Sequence, residues 1–571
     1  MYSTMQDVPL TVARILQHGS TIHGRSTVTT WTEDGPVVRT FAEVGARAAQ
    51  LAHALHEQLG VVDGEPVGTL MWNNTEHQEA YLAIPSMGAV LHTLNLRLPA
   101  HQLVYIVQHA ADRVVIVNGS VLPLLAAVLP QLAGTVEHVV VSGGYDPALL
   151  AGFGGTVHDY EDLLAGRPTD YPWQTDIDEK QAAALCYTSG TTGDPKGVVY
   201  SHRSIYLHSM QIIAASSFGL TARDTVLPVV PMFHVNAWGI PHAAFMTGAS
   251  LLMPDRFLQP EPLATMIDRV KPTFGAAVPT IWTGLLDELD AGDYDTSTLE
   301  TVVIGGSACP PALMKAFEER HGIRVIHAWG MTETSPLGTV AHPPAGVTGE
   351  EEWAYRVTQG VFPSSVQARL IGPGGEAVPH DGVAEGELEV RGPWIAGAYF
   401  GGAGHEADAP EDKFSPDGWL RTGDVGTITA DGYLTLTDRA KDVIKSGGEW
   451  ISSVALENHL MAHPEVAEAA VVAVPDEKWG ERPLATVVLR PGATAGLPEL
   501  RAFLAERVAS WRLPERWSVI ESVPKTSVGK FDKKVIRADY AADRLAVTLL
   551  GKGEQRGQGE QGEQGGRAEQ G

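Results

Sequence analysis

Eleven consecutive residues constrain this chain more than any other stretch: Tyr187-Thr188-Ser189-Gly190-Thr191-Thr192-Gly193-Asp194-Pro195-Lys196-Gly197. They follow an apolar run, Ala182–Cys186, that reads as a buried strand. Glycine permits backbone turns that a Cβ resists, and such turns aim several N–H groups at one anion. The hydroxyls and Lys196 add donors and charge. This is the composition of a phosphate cradle at the end of a strand. It is not a Walker A loop, because no Gly-Lys-Ser/Thr stands at the required spacing. A plain Gly/Ser/Thr surface loop explains shorter matches, and eleven ordered positions weigh against it.

A chain of 571 residues implies more than one domain, since single cores rarely grow past ~250–300 residues. Its net charge of −27 argues against nucleic acid as a partner and against a polybasic membrane anchor. Acidity does not exclude ATP, because local dipoles and a few cations can hold phosphates. Two cysteines, Cys186 and Cys309, are too few for a disulfide framework, so a reducing cytoplasm is expected. The first residues lack the cationic start and apolar stretch of a signal peptide, and no run approaches the ~20 apolar residues of a membrane span.

Thr40-Phe41-Ala42-Glu43 has capping-box spacing and opens a helix. Helices are expected from about Glu76 to Met87 and after Pro99, and then a strand at Val114–Val117. The alternation continues through a strand at Thr225–Val229, a helix at Pro262–Val270, a strand at Thr301–Ile304, a helix at Pro311–His321 and a strand at Val325–His327. That pattern predicts an α/β fold: a large N-terminal domain of mainly parallel sheets with helices. From about 366 to 437 the texture turns β-rich, with strands at Val366–Ile371, Gly386–Arg391, Gly426–Thr429 and Tyr433–Leu436. A small mobile α+β C-terminal domain is expected over 438–545, and a disordered polar tail over 551–571. The large domain therefore covers 1–437.

The loop Thr188–Gly197 resembles the signature of the adenylate-forming superfamily, which comprises acyl-CoA synthetases, luciferases and peptide-synthetase adenylation domains. Further motifs of that family occur in order from about Thr40 to Arg537. The resemblance assigns Thr188, Ser189, Gly190, Thr191, Thr192, Gly193 and Lys196 to the phosphates of ATP. In Trp329-Gly330-Met331-Thr332-Glu333 it implies that Glu333 ligates Mg²⁺, Thr332 bonds the α-phosphate and Trp329 lies against the adenine. It places Gly330 and Met331 beside the nucleotide. Gly305-Gly306-Ser307 would line both the adenine and acyl pockets, where small residues leave room for a ligand. In Gly418–Asp424, Asp424 would accept from the ribose hydroxyls, and Arg439 would reach the ribose. Asp438 would be the hinge. Gly447, Gly448 and Trp450 would line a pantetheine tunnel for CoA, and Lys530 would be the adenylation lysine. Gln359-Gly360-Val361-Phe362-Pro363 departs from the family's usual Gly-x-Pro turn.

The implied reaction is attack by a carboxylate on the α-phosphorus of ATP, followed by attack of the CoA thiol on the acyl-adenylate. The catalytic residues would be Lys530, Thr332 and Glu333. A carboxylate is already anionic at neutral pH, so the task is to position two anions and neutralise their charge. Pro231–Gly239 bears on the acid. No Asp follows Phe233 to pair an ammonium, and the string resembles bacterial medium- and long-chain fatty acyl-CoA synthetases, whose Trp gates an acyl tunnel. Trp238 is the expected gate, with His234, Val235, Gly239, Gly306 and Gly330 around the acyl chain. Another hydrophobic carboxylate, transfer to a carrier protein in place of CoA, and a nucleotide-binding pseudoenzyme are the alternatives. A homodimer is among the assemblies open to it.

Overall fold

The computed structural model describes residues 1, 3–188, 194–372, 374–446, 449–525 and 531–550. They form two compact units, one of Met1–Ala440 and one of Lys441–Pro524 with 531–550.

The first unit contains a seven-stranded sheet in the order Thr156–Asp159, His138–Ser142, Val114–Asn118, Pro66–Leu70, Val90–Thr93, Ala182–Tyr187 and Gly197–Ser201. All neighbours are parallel except the last pair. Val114-Val115-Ile116-Val117 is apolar on both faces because both faces are covered. Val114 and Ile116 pack into the core shared with Phe41, Leu51 and Ile84, whereas Val115 and Val117 pack with Leu103, Ile106 and Leu122. The capping box is present. The Glu43 N–H donates to Thr40 Oγ1 at 3.2 Å, and the Thr40 N–H donates to Glu43 Oε2 at 2.7 Å. Such a cap contributes about 1 kcal/mol to the helix Phe41–His53.

A second sheet of the same unit has 14 strands and changes character midway. Thr27–Thr32, Ser250–Met253, Thr225–Pro228, Phe274–Ala277, Thr301–Ile304 and Arg324–Gly330 run parallel. Beyond Arg324–Gly330 the strands are antiparallel, from Leu337–Val340 through Gly360–Val361, Tyr433–Arg439, Leu420–Ile428 and Gly386–Arg391 to Gln367–Ile371. Arg324–Gly330 belongs to both halves. Its first four residues pair in parallel and its last three antiparallel.

Several expected boundaries move. The strand expected at Gly426–Thr429 starts earlier and spans Leu420–Ile428, so Leu420–Asp424 is part of the ladder. A register shift at Val425/Gly426 breaks the alternation that would have revealed it. The irregular Gln359–Pro363 segment includes a strand, Gly360–Val361. A Cβ at Gly360 would fall 2.0 Å from the Val340 carbonyl carbon, so only glycine fits there. The hairpin Thr27–Thr40 adds an antiparallel edge strand that the alternation did not predict.

The second unit pairs a long hairpin, Val466–Asp476 with Gly480–Leu489, and adds Arg516–Val519 in parallel. Trp517 is fully buried among Leu456, Val471 and Leu500. The sequence pattern predicts a helix over Pro498–Ala509, and the helix observed is Leu497–Ala505, four residues shorter at its end.

Candidate active site

The carboxyl end of Arg324–Gly330 leads directly into a 3₁₀ turn, Thr332–Thr334. A Cβ on Gly330 would lie 1.7 Å from the Pro336 carbonyl oxygen, so the backbone closes over itself only with glycine. Three hydrogen bonds from two segments clamp the turn. The Tyr200 hydroxyl donates to the Thr332 carbonyl at 2.8 Å, the Ala396 N–H donates to the Glu333 carbonyl at 2.8 Å, and the Tyr399 hydroxyl donates to Glu333 Oε1 at 2.7 Å. Thr332 and Glu333 are both 6% exposed, so their side chains are held rather than solvated.

Beside the turn lies a second cluster. Trp329 donates its indole N–H to Asp424 Oδ2 at 2.8 Å, and Arg439 Nε stands 2.8 Å from Asp424 Oδ1. Asp424 and Arg439 are direct partners across two antiparallel strands, which puts their side chains on one face. Each carboxylate oxygen keeps a further lone pair, so Asp424 can still accept from two hydroxyls. Asp438 is buried and paired with Val425, and its Oδ1 accepts from the Arg439 N–H at 2.7 Å.

The base of the Thr188–Gly197 loop is closed by reciprocal bonds. The Thr188 N–H donates to the Lys196 carbonyl at 2.9 Å, and the Lys196 N–H donates to Thr188 Oγ1 at 3.3 Å. The exposed Lys196 places its ammonium 5.0 Å above the centre of the Tyr399 ring. Ser189, Gly190, Thr191, Thr192, Gly193, Gly447, Gly448 and Lys530 lie outside the described residues, as does the side chain of Trp450.

Around Trp238 the chain does something its composition hides. Val235, Asn236, Ala237 and Trp238 all have positive φ, between 46° and 57°, and Gly239 follows at 75°. Left-handed backbone costs L-residues about 1–2 kcal/mol each, so this turn persists only where its surroundings over-determine it. They do. Buried Asn73 binds the carbonyls of Pro228 and Val230 and the N–H of Met232, and the Tyr81 hydroxyl donates to the Met232 carbonyl. The indole of Trp238 packs over Gly305, 3.3 Å from where a Cβ would sit, while Gly306 has φ +84° and Ser307 is exposed. His234 precedes the turn in extended backbone. Below Gly239 is a cavity of about 10 Å³, roughly one water, lined by Tyr200, His208, Ser209, Asn236 and His242 among others. His208 accepts from the Leu337 N–H at its Nε2. Burial pushes His208 down to about 3 and His242 to about 4, so both rings are neutral.

Among the described residues no group of three or more His, Cys, Asp or Glu could enclose a metal. Glu333 is a lone carboxylate with Oε1 engaged. That donor set fits a hard cation which takes one or two carboxylates and completes its shell with substrate phosphates and water.

Tyr399, Tyr200, Asn73 and His208 escaped the sequence reading. None carries a local signature, because each acts on a segment far away in the chain.

Residues 20–400 match the family model described as AMP-binding enzyme, and 455–530 match its C-terminal domain. The chain is 42% identical over 544 residues to a 3-methylmercaptopropionyl-CoA ligase of Ruegeria lacuscaerulensis, covering 95% of this chain and 99% of the relative. It is 43% identical over 544 residues to a long-chain-fatty-acid–CoA ligase of Thermus thermophilus, covering 94% and 97%. Its fold superposes on the anthranilate CoA ligase AuaEII in complex with anthranoyl-AMP with a TM-score of 0.83, at 27% identity, covering 94% of this chain and all of that one.

Proposed function

Because this chain belongs to the AMP-binding enzyme family and is an acid–thiol ligase of the AMP-forming class, we propose that it activates a fatty acid with ATP and transfers the acyl group to CoA. The observation that carries this reading is the Trp329–Asp424–Arg439 cluster set beside the clamped Thr332–Glu333 turn. One arrangement offers acceptors for a ribose and a carboxylate and hydroxyl for phosphates.

In the first step a carboxylate oxygen bonds to the α-phosphorus and pyrophosphate leaves. Lys196 and the loop at Thr188–Gly197 hold the departing phosphates, and Thr332 donates to the α-phosphate. Lys530 bridges the carboxylate and α-phosphate. Asp424 and Arg439 fix the ribose, which orients the phosphorus for in-line attack. Mg²⁺, ligated by Glu333, would neutralise phosphate charge. In the second step the CoA thiol attacks the acyl carbonyl and AMP leaves. Lys530 then gives way to the Gly447–Gly448 loop as residues 438–545 turn about Asp438.

Trp238 gates the acyl chain from a strained turn, a natural element to move because its energy already lies high. A second reading, 3-methylmercaptopropionate as the acid, is favoured by the relative from Ruegeria. Cys186 and Cys309 are buried and unbridged, which suits a reducing cytoplasm, and no described helix is long and apolar enough to cross a membrane.

The decisive experiment is ATP–pyrophosphate exchange without CoA across carboxylates of increasing length, 3-methylmercaptopropionate included. Thioester formation is then measured with CoA. Exchange with a fatty acid that also yields its CoA thioester supports the reading. No exchange with any acid would sink it.

A further inference from the structure

Glu333 and Lys196 carry opposite charges and both reach Tyr399, yet among the described residues neither belongs to an ion pair. A free site with a carboxylate and an ammonium this close to one side chain should collapse into a salt bridge. Such a bridge would block the groups that a nucleotide must meet. Tyr399 engages both groups instead. Its hydroxyl takes Glu333 Oε1 at 2.7 Å, and its ring face takes the Lys196 ammonium at 5.0 Å.

Its placement is rigid. Tyr399 exchanges backbone bonds with Asp408, at 2.7 and 2.9 Å, and the next residue, Phe400, donates to the Gly197 carbonyl at 2.8 Å. The ring packs edge-on against Phe414, with centres 5.3 Å apart, and is 4% exposed.

We propose that Tyr399 is a positioning residue that keeps Glu333 and Lys196 apart and aimed, the carboxylate for a divalent cation and the ammonium for a nucleotide phosphate. This rests on the reading of Glu333 as cation ligand and of Lys196 as phosphate partner. The two halves of the side chain have separable tasks. The hydroxyl orients the carboxylate as a hydrogen-bonded supporter of a metal ligand does. The π face holds a cation without neutralising it, which leaves the ammonium free to exchange to phosphate.

The test uses equilibrium binding, with no acid or CoA present. Mn²⁺ binding is followed by electron paramagnetic resonance in the presence of ATP, and metal-free ATP binding by calorimetry. In Y399F the Mn²⁺ affinity should fall about tenfold while metal-free ATP binding stays as in wild type. In Y399L the metal-free ATP affinity should also fall, by about two- to fivefold. If the leucine variant does not fold, as read by its thermal transition, Tyr399→Met fills the space without a π face and replaces it. Wild-type Mn²⁺ affinity in Y399F overturns the hydroxyl's role. Unchanged metal-free ATP binding in the leucine or methionine variant overturns the ring's role. A wild-type protein that binds ATP with no dependence on Mn²⁺ would instead sink the underlying reading of Glu333.

Discussion

The indole N–H of Trp329 donates to Asp424 Oδ2 at 2.8 Å across 95 positions of sequence. The bond ties the strand that leads into the Thr332–Thr334 turn to the strand that carries Asp424. Arg439 holds the other oxygen, so the carboxylate cannot rotate. Trp329→Phe keeps the ring and removes the donor. A hydrogen bond to a charged acceptor contributes enough that AMP affinity should weaken by about tenfold. Asp424→Asn should cost more, because it also leaves Arg439 without its counter-charge. Isothermal titration with AMP checks both, and equal affinities in wild type and Trp329→Phe would remove the indole from the site.

Trp238 lies on a left-handed turn and covers Gly305. Trp238→Ala should relieve packing at the gate and change the dependence of rate on acyl-chain length, with the KM for ATP unmoved. Initial rates over an acid series give the answer. A shift confined to ATP would show that the residue does not face the acid.

Lys530→Ala should abolish adenylate formation yet leave thioester formation from a synthetic acyl-adenylate intact, because the proposed contact is with the attacking carboxylate and α-phosphate. The two half-reactions are assayed separately. Equal loss of both would contradict the assignment of Lys530 to the first step alone.

Acid should destabilise the folded chain through buried histidines. Burial holds His77, His202, His242 and His327 down to about 4 and His208 to about 3, against an ordinary 6.5. The unfolded chain takes up these protons first as pH falls. Their contribution is therefore complete above 6.5 and is lost as pH drops towards 4. His208→Gln, whose amide oxygen can accept the Leu337 N–H, should reduce the slope of stability against pH by one proton, about 1.4 kcal/mol per pH unit. Urea unfolding between pH 5 and 7 measures the slope, and an unchanged slope would refute the account.

The legible part of the site was the part written in consecutive residues. The cradle sequence after Ala182–Cys186, the Trp329–Glu333 string and the Gly418–Asp424 string each announce a backbone shape through glycine and a chemistry through their polar members. The structure sets their endpoints: a loop base closed by Thr188 and Lys196, a turn that only glycine at 330 allows, and a strand that begins at Leu420. Tyr399 was illegible because a tyrosine after Gly397-Ala398 has no local purpose. Its purpose lies 66 residues back, at Glu333. The left-handed run Val235–Trp238 was equally hidden, since three of its four residues disfavour that backbone and the groups that hold its approach, among them Asn73 and Tyr81, come from elsewhere in the chain.

By itself the sequence determined the α/β alternation, the capped helix at Thr40 and the order of the motifs. These depend on spacings of a few residues, over which side-chain direction follows backbone periodicity. Only the tertiary structure decided that Trp329 and Arg439 would share Asp424, and that Tyr399 would touch both Glu333 and Lys196. Those meetings depend on which strands pair, in what register, and on what packs over them. They are long-range outcomes of burying apolar faces together, and no local pattern encodes them.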